Sequence, residues 1–90
     1  MSRRRLLSTR REIPLQDRDR YDLAWAALER AATALAAHAW RFRSSIYPSG
    51  YLEFLEFAAG SDPRDDPSVS GPLAALDEIA PGEVESWDEA

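Results

Sequence analysis

Residues 38–57 read HAWRFRSSIYPSGYLEFLEF and contain two alternating runs on either side of a turn. In the first run Trp40 and Phe42 alternate with arginines, and in the second run apolar residues alternate with glutamates. Such alternation is typical of β-strands, and Pro48 and Gly50 break regular structure between the runs. The stretch predicts a β-hairpin, around which the rest of the 90-residue chain has to be built.

The hairpin register is predicted by matching like side chains. It pairs three residues of each strand: Trp40 with Phe57, Phe42 with Leu55, and Arg41 with Glu56. This register puts large apolar groups together on one face and an ion pair on the other. The second face also carries Leu52 and Phe54. Because a helix covers only one face, apolar groups on both faces predict a second cover, most simply another copy of the chain.

Two elements precede the hairpin. Residues 1–5 are predicted to be a disordered basic arm. Residues 5–13 alternate loosely and predict a strand that ends at Pro14, with one face formed by Leu7, Thr9, Arg11 and Ile13. Residues 20–37 contain neither glycine nor proline and predict a helix. Its apolar stripe has spacings of three and four: Tyr21, Trp25, Leu28, Ala32 and Leu35.

The segment after the hairpin is predicted to be a long polar loop at residues 58–72, rich in proline, serine and aspartate. A short helix over residues 72–79 follows, with Pro72 in its first turn. Residues 83–87 alternate and predict a final strand. The order is therefore β-α-β-β-α-β, which predicts one α+β domain over residues 1–90, with a ferredoxin-like fold and an antiparallel sheet.

The residue types present exclude several kinds of site. The chain has no cysteine, so it forms neither a disulfide framework nor a thiolate metal site. A single histidine, His38, does not make a tetrahedral zinc site. The sequence also lacks phosphate-cradling glycine loops and nucleophilic triads. Since a domain this small buries a limited core, association with a second copy is the expected source of further burial.

Charge is distributed unevenly along the chain. Seven of the eleven basic residues lie in the first twenty positions, and after Ser44 a single basic residue, Arg64, stands against eleven acidic ones. We expect the basic first segment and the acidic last segment to attract each other within the fold. A net charge of −5 argues against nucleic-acid binding. No apolar run is long enough for a secretory signal or a membrane span, which predicts a cytoplasmic protein without membrane contact.

The hairpin and the long helix before it also carry a family resemblance. The residues that match are found at the ends of the two strands and in the turn: Arg43, Ser44, Pro48, Tyr51, Glu56 and Phe57. In these positions the chain resembles the dimeric α+β barrel superfamily, and within it the antibiotic-biosynthesis-monooxygenase-like domains. The resemblance implies a homodimer that packs sheet against sheet. It does not imply haem degradation, because no histidine follows His38.

Two residues are the candidates for catalysis. His38 stands at the junction of helix and strand and has the chemistry of a general base. Glu56 lies beside apolar residues of the hairpin, where a carboxylate can accept a proton. The alternative roles are structural: His38 as a cation near the helix C-terminus, and Glu56 as a member of a cross-strand ion pair.

Six further residues are candidates for ligand binding. Aromatic rings offer a surface to a planar ligand, while the hairpin arginines can hold an anion. The same residues can instead serve as buried core or as rim contacts of a dimer interface. The candidates are Trp25, Trp40, Arg41, Arg43, Tyr51 and Glu53.

Two classes of function remain open from the sequence. The first is a small homodimeric accessory or ligand-binding protein. The second, implied by the resemblance, is a cofactor-free monooxygenase or isomerase that acts on a small aromatic or polyketide-like molecule. Neither class requires a cofactor or a metal. An enzyme needs an enclosed cavity reached by His38, Glu56 or the hairpin arginines, whereas an interaction protein fills that space with side chains.

Overall fold

The computed structural model describes residues 3–90. Its elements follow in the order β1 (Arg4–Glu12), α1 (Arg18–Ala34), β2 (His38–Arg43), β3 (Gly50–Ala58), α2 (Pro67–Ile79) and β4 (Glu83–Asp88). Short 3₁₀ turns at Leu15–Asp17 and Pro63–Asp65 precede the two helices. The strands form one antiparallel sheet in the order β2-β3-β1-β4. This confirms the predicted ferredoxin-like α+β fold.

Both helices pack on the same face of the sheet and bury the main core there. The predicted stripe of α1 is confirmed for four residues, since Tyr21, Trp25, Leu28 and Ala32 are buried. The first three pack with Val69 and Leu76 of α2, and Ala32 packs against the inward face of β3. Because a strand alternates, every second residue of β3 from Tyr51 to Phe57 is buried against the helices.

The predicted register of the hairpin is wrong by three residues. Trp40 lies opposite Phe54, and Arg41 lies opposite Glu53. A slip by an odd number reverses which faces meet, so Trp40 and Phe42 lie with Leu52 and Phe54 on the face away from the helices. The physical cause is local. The Ser44 hydroxyl accepts hydrogen bonds from the backbone N–H groups of Ile46 and Tyr47 (3.1 and 3.0 Å), which ends β2 early.

Two segment boundaries also differ from the prediction. The strand β1 begins at Arg4, inside the predicted disordered arm, of which Met1 and Ser2 lie outside the described residues. Pairing with β3 and β4 orders its first residues. In the predicted loop at residues 58–72, α2 already begins at Pro67, because the Asp66 carboxylate caps it by accepting from the N–H of Ser68. Pro72 lies inside this helix.

The helix α1 ends at Ala34, three residues before its predicted end. Ala36 has a positive φ of 59°, and the N–H groups of Ala36 and Ala37 donate to the carbonyl oxygens of Thr33 and Ala32. This pair of bonds is a Schellman motif, which turns the chain into β2. As a consequence Leu35, predicted to be part of the buried stripe, is 41% exposed.

The basic first strand and the acidic last strand are neighbours, as the charge distribution predicts. Arg5 Nε lies 2.7 Å from Asp88 Oδ1, and the backbone N–H of Arg4 donates to the Glu89 carboxylate. The exposed ion pair contributes little stability by itself, because water screens it. Neither helix of residues 3–90 is long and apolar enough to cross a membrane.

Candidate functional site

A buried ion pair lies at the centre of the helix-covered face. Arg11 of β1 and Glu53 of β3 point inward, and their side chains are only 2% and 5% exposed. Nε of Arg11 donates to both carboxylate oxygens of Glu53, at 3.0 Å each. Isolated charges are costly to bury, so each member of the pair compensates the charge of the other inside the domain.

Tyr21 of α1 completes the inner side of this pair. Its hydroxyl donates to Glu53 Oε2 at 2.7 Å. Burial and the negative charge of Glu53 raise the pKa of Tyr21 well above the usual range of a phenol. Tyr21 is therefore a fixed hydrogen-bond donor that holds the Glu53 carboxylate in place at any pH near neutrality.

Asp77 of α2 binds the other side of Arg11. Nη1 of Arg11 donates to Asp77 Oδ1 and to the carbonyl oxygen of Ala80, both at 2.7 Å. Burial by itself lowers the pKa of Arg11, but the hydrogen bond to Asp77 and the charge of Glu53 outweigh it and raise the pKa overall. In contrast to Glu53, the Asp77 side chain is 64% exposed and reaches the guanidinium from the surface.

A cavity of about 160 Å³ lies between the sheet and the two helices, beside this cluster. Its wall combines the charged groups of Arg11, Glu53 and Asp77 with a mostly apolar surface. The apolar surface is supplied by residues of the sheet and of both helices: Leu7, Trp25, Leu28, Leu55, Leu73 and Val84. Pockets of this composition, apolar with a few convergent polar groups, are typical of small-molecule sites.

A second arginine borders the cavity where it approaches the surface. Arg64 belongs to the 3₁₀ turn before α2 and pairs with Asp62 at 2.7 Å. The hydrogen bond from Arg64 lowers the pKa of Asp62, which keeps this carboxylate ionised. The cavity is thus bordered by two guanidinium groups, each paired with an aspartate.

The candidate ligand-binding residues divide between the cavity and other places. Trp25 and Glu53 line the cavity. Tyr51 and Arg41 form the layer beside it: Tyr51 packs on Tyr21 with 4.7 Å between ring centroids. The Arg41 guanidinium lies 5.0 Å from the Tyr21 ring, 5.6 Å from the Trp25 ring and 5.8 Å from the Tyr51 ring. Such stacking, with an ion pair to Asp22 at 2.8 Å, makes Arg41 part of the packing.

The other two candidates lie apart from the cavity. Trp40 is on the open face of the sheet, where it stacks on Phe54 at 5.4 Å. Arg43 is the last residue of β2 and is exposed at the end of the hairpin. The predicted register, which was wrong by three residues, had put Trp40 on the face covered by α1.

The two candidate catalytic residues face away from the cavity. His38 and Glu56 lie opposite each other on β2 and β3, on the open face of the sheet. Glu56 pairs with Arg4 at 3.3 Å, and both side chains are about one-third exposed. His38 is exposed at the edge of the sheet, near Glu29 and Thr33 of α1. The cavity is therefore reached by neither residue.

Sequence reasoning missed Arg11 and Asp77 as members of the site. The signal for Arg11 was present, because the alternation of β1 already put this charged residue on the inward face with Leu7 and Ile13. A charged residue on a buried face needs a partner, and Glu53 is its counterpart on the inward face of β3. Asp77 has no comparable signal, since acidic residues on a helix surface are common.

The geometry provides hydrogen-bond donors and apolar surface, and no metal site. Among residues 3–90 no group of three or more metal-binding side chains comes together. Arg11, Glu53 and Tyr21 use their polar atoms largely on one another. The polar atoms of the cluster are therefore largely satisfied within it, and the rest of the cavity wall is mostly apolar.

No protein-family profile matches the chain, and no curated protein matches it in sequence. Solved structures do match in fold. A conserved protein of unknown function from Bacteroides thetaiotaomicron superposes with a TM-score of 0.86 at 12% identity, covering 99% of this chain and 100% of the other. A candidate antibiotic biosynthesis monooxygenase from Nitrosomonas europaea has a TM-score of 0.77 at 3% identity, covering 100% and 91%.

A third structure is a variant of SnoaB, a cofactor-independent oxygenase from Streptomyces nogalater. It superposes with a TM-score of 0.73 at 12% identity and covers 93% of this chain and 90% of the other. Identities this low establish the fold and leave the activity open. The chain therefore has the fold of the antibiotic-biosynthesis-monooxygenase-like domains.

Proposed function

We propose that the protein binds a small molecule of single-ring size in the cavity between the sheet and the two helices. The observation that carries this proposal is the cavity itself, with a buried Arg11–Glu53 ion pair in an otherwise apolar wall. A volume of about 160 Å³ is close to that of engineered apolar cavities that accept benzene, which measure about 150 Å³.

The position of the cavity supports a ligand-binding role. Protein interiors are close-packed, so a space of about 160 Å³ beside the core of a 90-residue domain is unusual. Part of its wall is formed by the exposed side chains of Asp77 and Val84, so the cavity opens to solvent. A small molecule can therefore enter from the surface and contact the buried side chains of Trp25 and Leu28.

Binding can be tested by protein NMR with neutral single-ring compounds such as benzyl alcohol and benzamide. We expect saturable shifts of the Trp25 indole N–H signal, because Trp25 lines the cavity. The variant Leu73→Trp fills the cavity and should abolish the shifts, whereas Leu23→Trp, on the 75%-exposed outer side of α1, should leave them unchanged. Binding that survives Leu73→Trp would show that the cavity is not the site.

We further propose that the protein is a homodimer formed through the open face of the sheet. Four large apolar side chains lie together there: Trp40, Phe42, Leu52 and Phe54. The ring of Phe54 contacts those of Trp40 and Phe42 at centroid distances of 5.4 and 5.9 Å. Leu6 and Trp87 of β1 and β4 extend the same surface. Contiguous apolar patches of this kind mark interaction surfaces.

Sedimentation equilibrium tests the dimer. The wild-type chain of 10.1 kDa is expected at about twice that mass at micromolar concentration. Phe42→Glu should shift the mass to the monomer, since Phe42 is 59% exposed and its replacement disturbs the isolated chain little. Leu23→Glu on α1 is the matched control and should remain dimeric. A well-folded wild-type monomer at this concentration would contradict the proposal.

A second candidate function is a cofactor-free monooxygenase or isomerase of a small aromatic substrate. The observation in its favour is Glu53, a carboxylate in the cavity wall with a phenol bound to it at 2.7 Å. Such a pair can orient a substrate hydroxyl and receive its proton. Recovery of every bound compound unchanged, without oxygen consumption, would favour binding; a converted product that disappears with Glu53→Gln would favour catalysis.

A further inference from the structure

We propose that the cavity selects single-ring ligands that carry a carboxylate, and that Arg11 binds this carboxylate in place of Asp77. The inference rests on the proposed ligand-binding function and adds the chemical class of the ligand. Its basis is the unequal burial of the two carboxylates bound to Arg11.

Glu53 is a permanent partner of Arg11, whereas Asp77 is replaceable. Glu53 is 5% exposed and accepts from both Arg11 and Tyr21. Asp77 is 64% exposed, lies in the surface of α2 and contacts the guanidinium through one 2.7 Å hydrogen bond. An exposed carboxylate that turns into water is solvated at once, so its departure costs little beyond the bond itself.

The hydrogen bonds of residues 3–90 use Nε and Nη1 of Arg11, and none of them uses Nη2. A ligand carboxylate that replaces Asp77 can therefore meet two N–H-bearing nitrogens of one guanidinium. Arginine binds carboxylates by such paired, charge-assisted hydrogen bonds, which are about twice as strong as neutral ones.

The charge of the cluster determines which group a carboxylate ligand has to replace. Arg11 and Glu53 neutralise each other, and Asp77 adds one negative charge to the cluster. A carboxylate ligand takes over the hydrogen bond of Asp77, whose own carboxylate turns into water, where its charge is screened. A neutral ring has to enter beside Asp77 without gaining the charge-assisted bond. The volume of about 160 Å³ limits the ligand to one ring with a short acidic group.

The test compares benzoate with its neutral analogue benzamide, using NMR titration of the folded protein at constant ionic strength. We expect benzoate to bind more tightly than benzamide. Asp77→Asn should raise the benzoate affinity by about fivefold or more while changing that of benzamide by less than about twofold, because it removes the competing charge. Glu78→Gln is the matched control: it removes the same charge from the neighbouring, exposed position of α2 and should have no such effect.

Each outcome is decisive. If both compounds bind equally and Asp77→Asn favours neither, the carboxylate selectivity is refuted while the proposed binding function stands. If Glu78→Gln raises the benzoate affinity as much as Asp77→Asn does, the effect comes from the general field of the protein and the role of Asp77 is refuted. If neither compound binds the wild type or Asp77→Asn, the inference and the proposed function fall together.

Discussion

The replacement Arg11→Met is the sharpest test of the buried ion pair. Methionine keeps most of the aliphatic volume and removes the guanidinium, which donates four hydrogen bonds: two to Glu53 and one each to Asp77 and Ala80. Glu53 then remains 5% exposed with Tyr21 as its hydrogen-bond donor. Breaking a buried pair in this way costs about 3–5 kcal/mol.

That cost is large for a chain of 90 residues. A loss of about 3 kcal/mol lowers the Tm of a domain this size by roughly 12–24 °C, at about 4–8 °C per kcal/mol. Urea unfolding followed by circular dichroism measures the loss of free energy of unfolding. The protein concentration is held fixed so that the contribution of the proposed dimer to apparent stability stays constant. Arg20→Met, which removes the exposed ion pair to Asp17, is the control and should cost less than about 0.5 kcal/mol.

A double-mutant cycle separates the pair from its surroundings. Arg11→Met combined with Glu53→Leu leaves no unpaired charge in the core, and the Asp77 carboxylate is free to turn into water. The double variant should therefore be more stable than the sum of the single losses predicts, by at least about 1 kcal/mol. Additive losses, or an Arg11→Met effect no larger than that of the Arg20 control, would refute the buried pair.

Three further predictions concern single positions. Ala36→Gly should stabilise the fold by about 1 kcal/mol in urea unfolding, because Ala36 has a φ of 59°. Gly82→Ala should destabilise it by about 1–3 kcal/mol, since a Cβ there would lie 2.5 Å from Cγ2 of Thr9, whereas Gly71→Ala, with open space around it, should not. Tyr21→Phe should reduce the loss of stability at alkaline pH. Because its raised pKa keeps Tyr21 protonated in the folded state, its contribution to stability is fully present below pH about 10. Above that pH the phenol of the unfolded chain ionises, and the wild type loses stability. Unfolding at pH 8 and pH 11 measures this, and equal losses in both proteins would contradict it.

Much of the fold was predictable because it follows from periodicity. The spacing of Tyr21, Trp25 and Leu28 specifies a helix, and alternation specifies the strands that lie beside it. The start of α2 was harder to predict from the sequence, because Pro67 and Gly71 are typical of loops. The cap at Asp66 and the tertiary packing of the helix overrode those propensities.

The site was predictable only in part, for a different reason. Trp25 and Glu53 were identified from the stripe of α1 and the alternation of β3, which are local patterns. The partner of Glu53 is 42 residues away in the sequence, and Asp77 is 66 residues from Arg11. Contacts over such separations are set by strand order and register, which one sequence without its fold does not specify.

The observed hairpin register is itself an argument for the proposed dimer. The register predicted from side-chain matching would place Trp40 and Phe42 against α1, where burial of a large apolar side chain stabilises by roughly 1.5–3 kcal/mol. In the observed register both side chains lie on the open face, and Phe42 is 59% exposed. Arg41 packs against α1 instead. In an isolated chain, the observed register therefore loses several kcal/mol of burial free energy relative to the predicted one. If a second copy covers the open face, the same two rings are buried in the interface, and the burial free energy is recovered there.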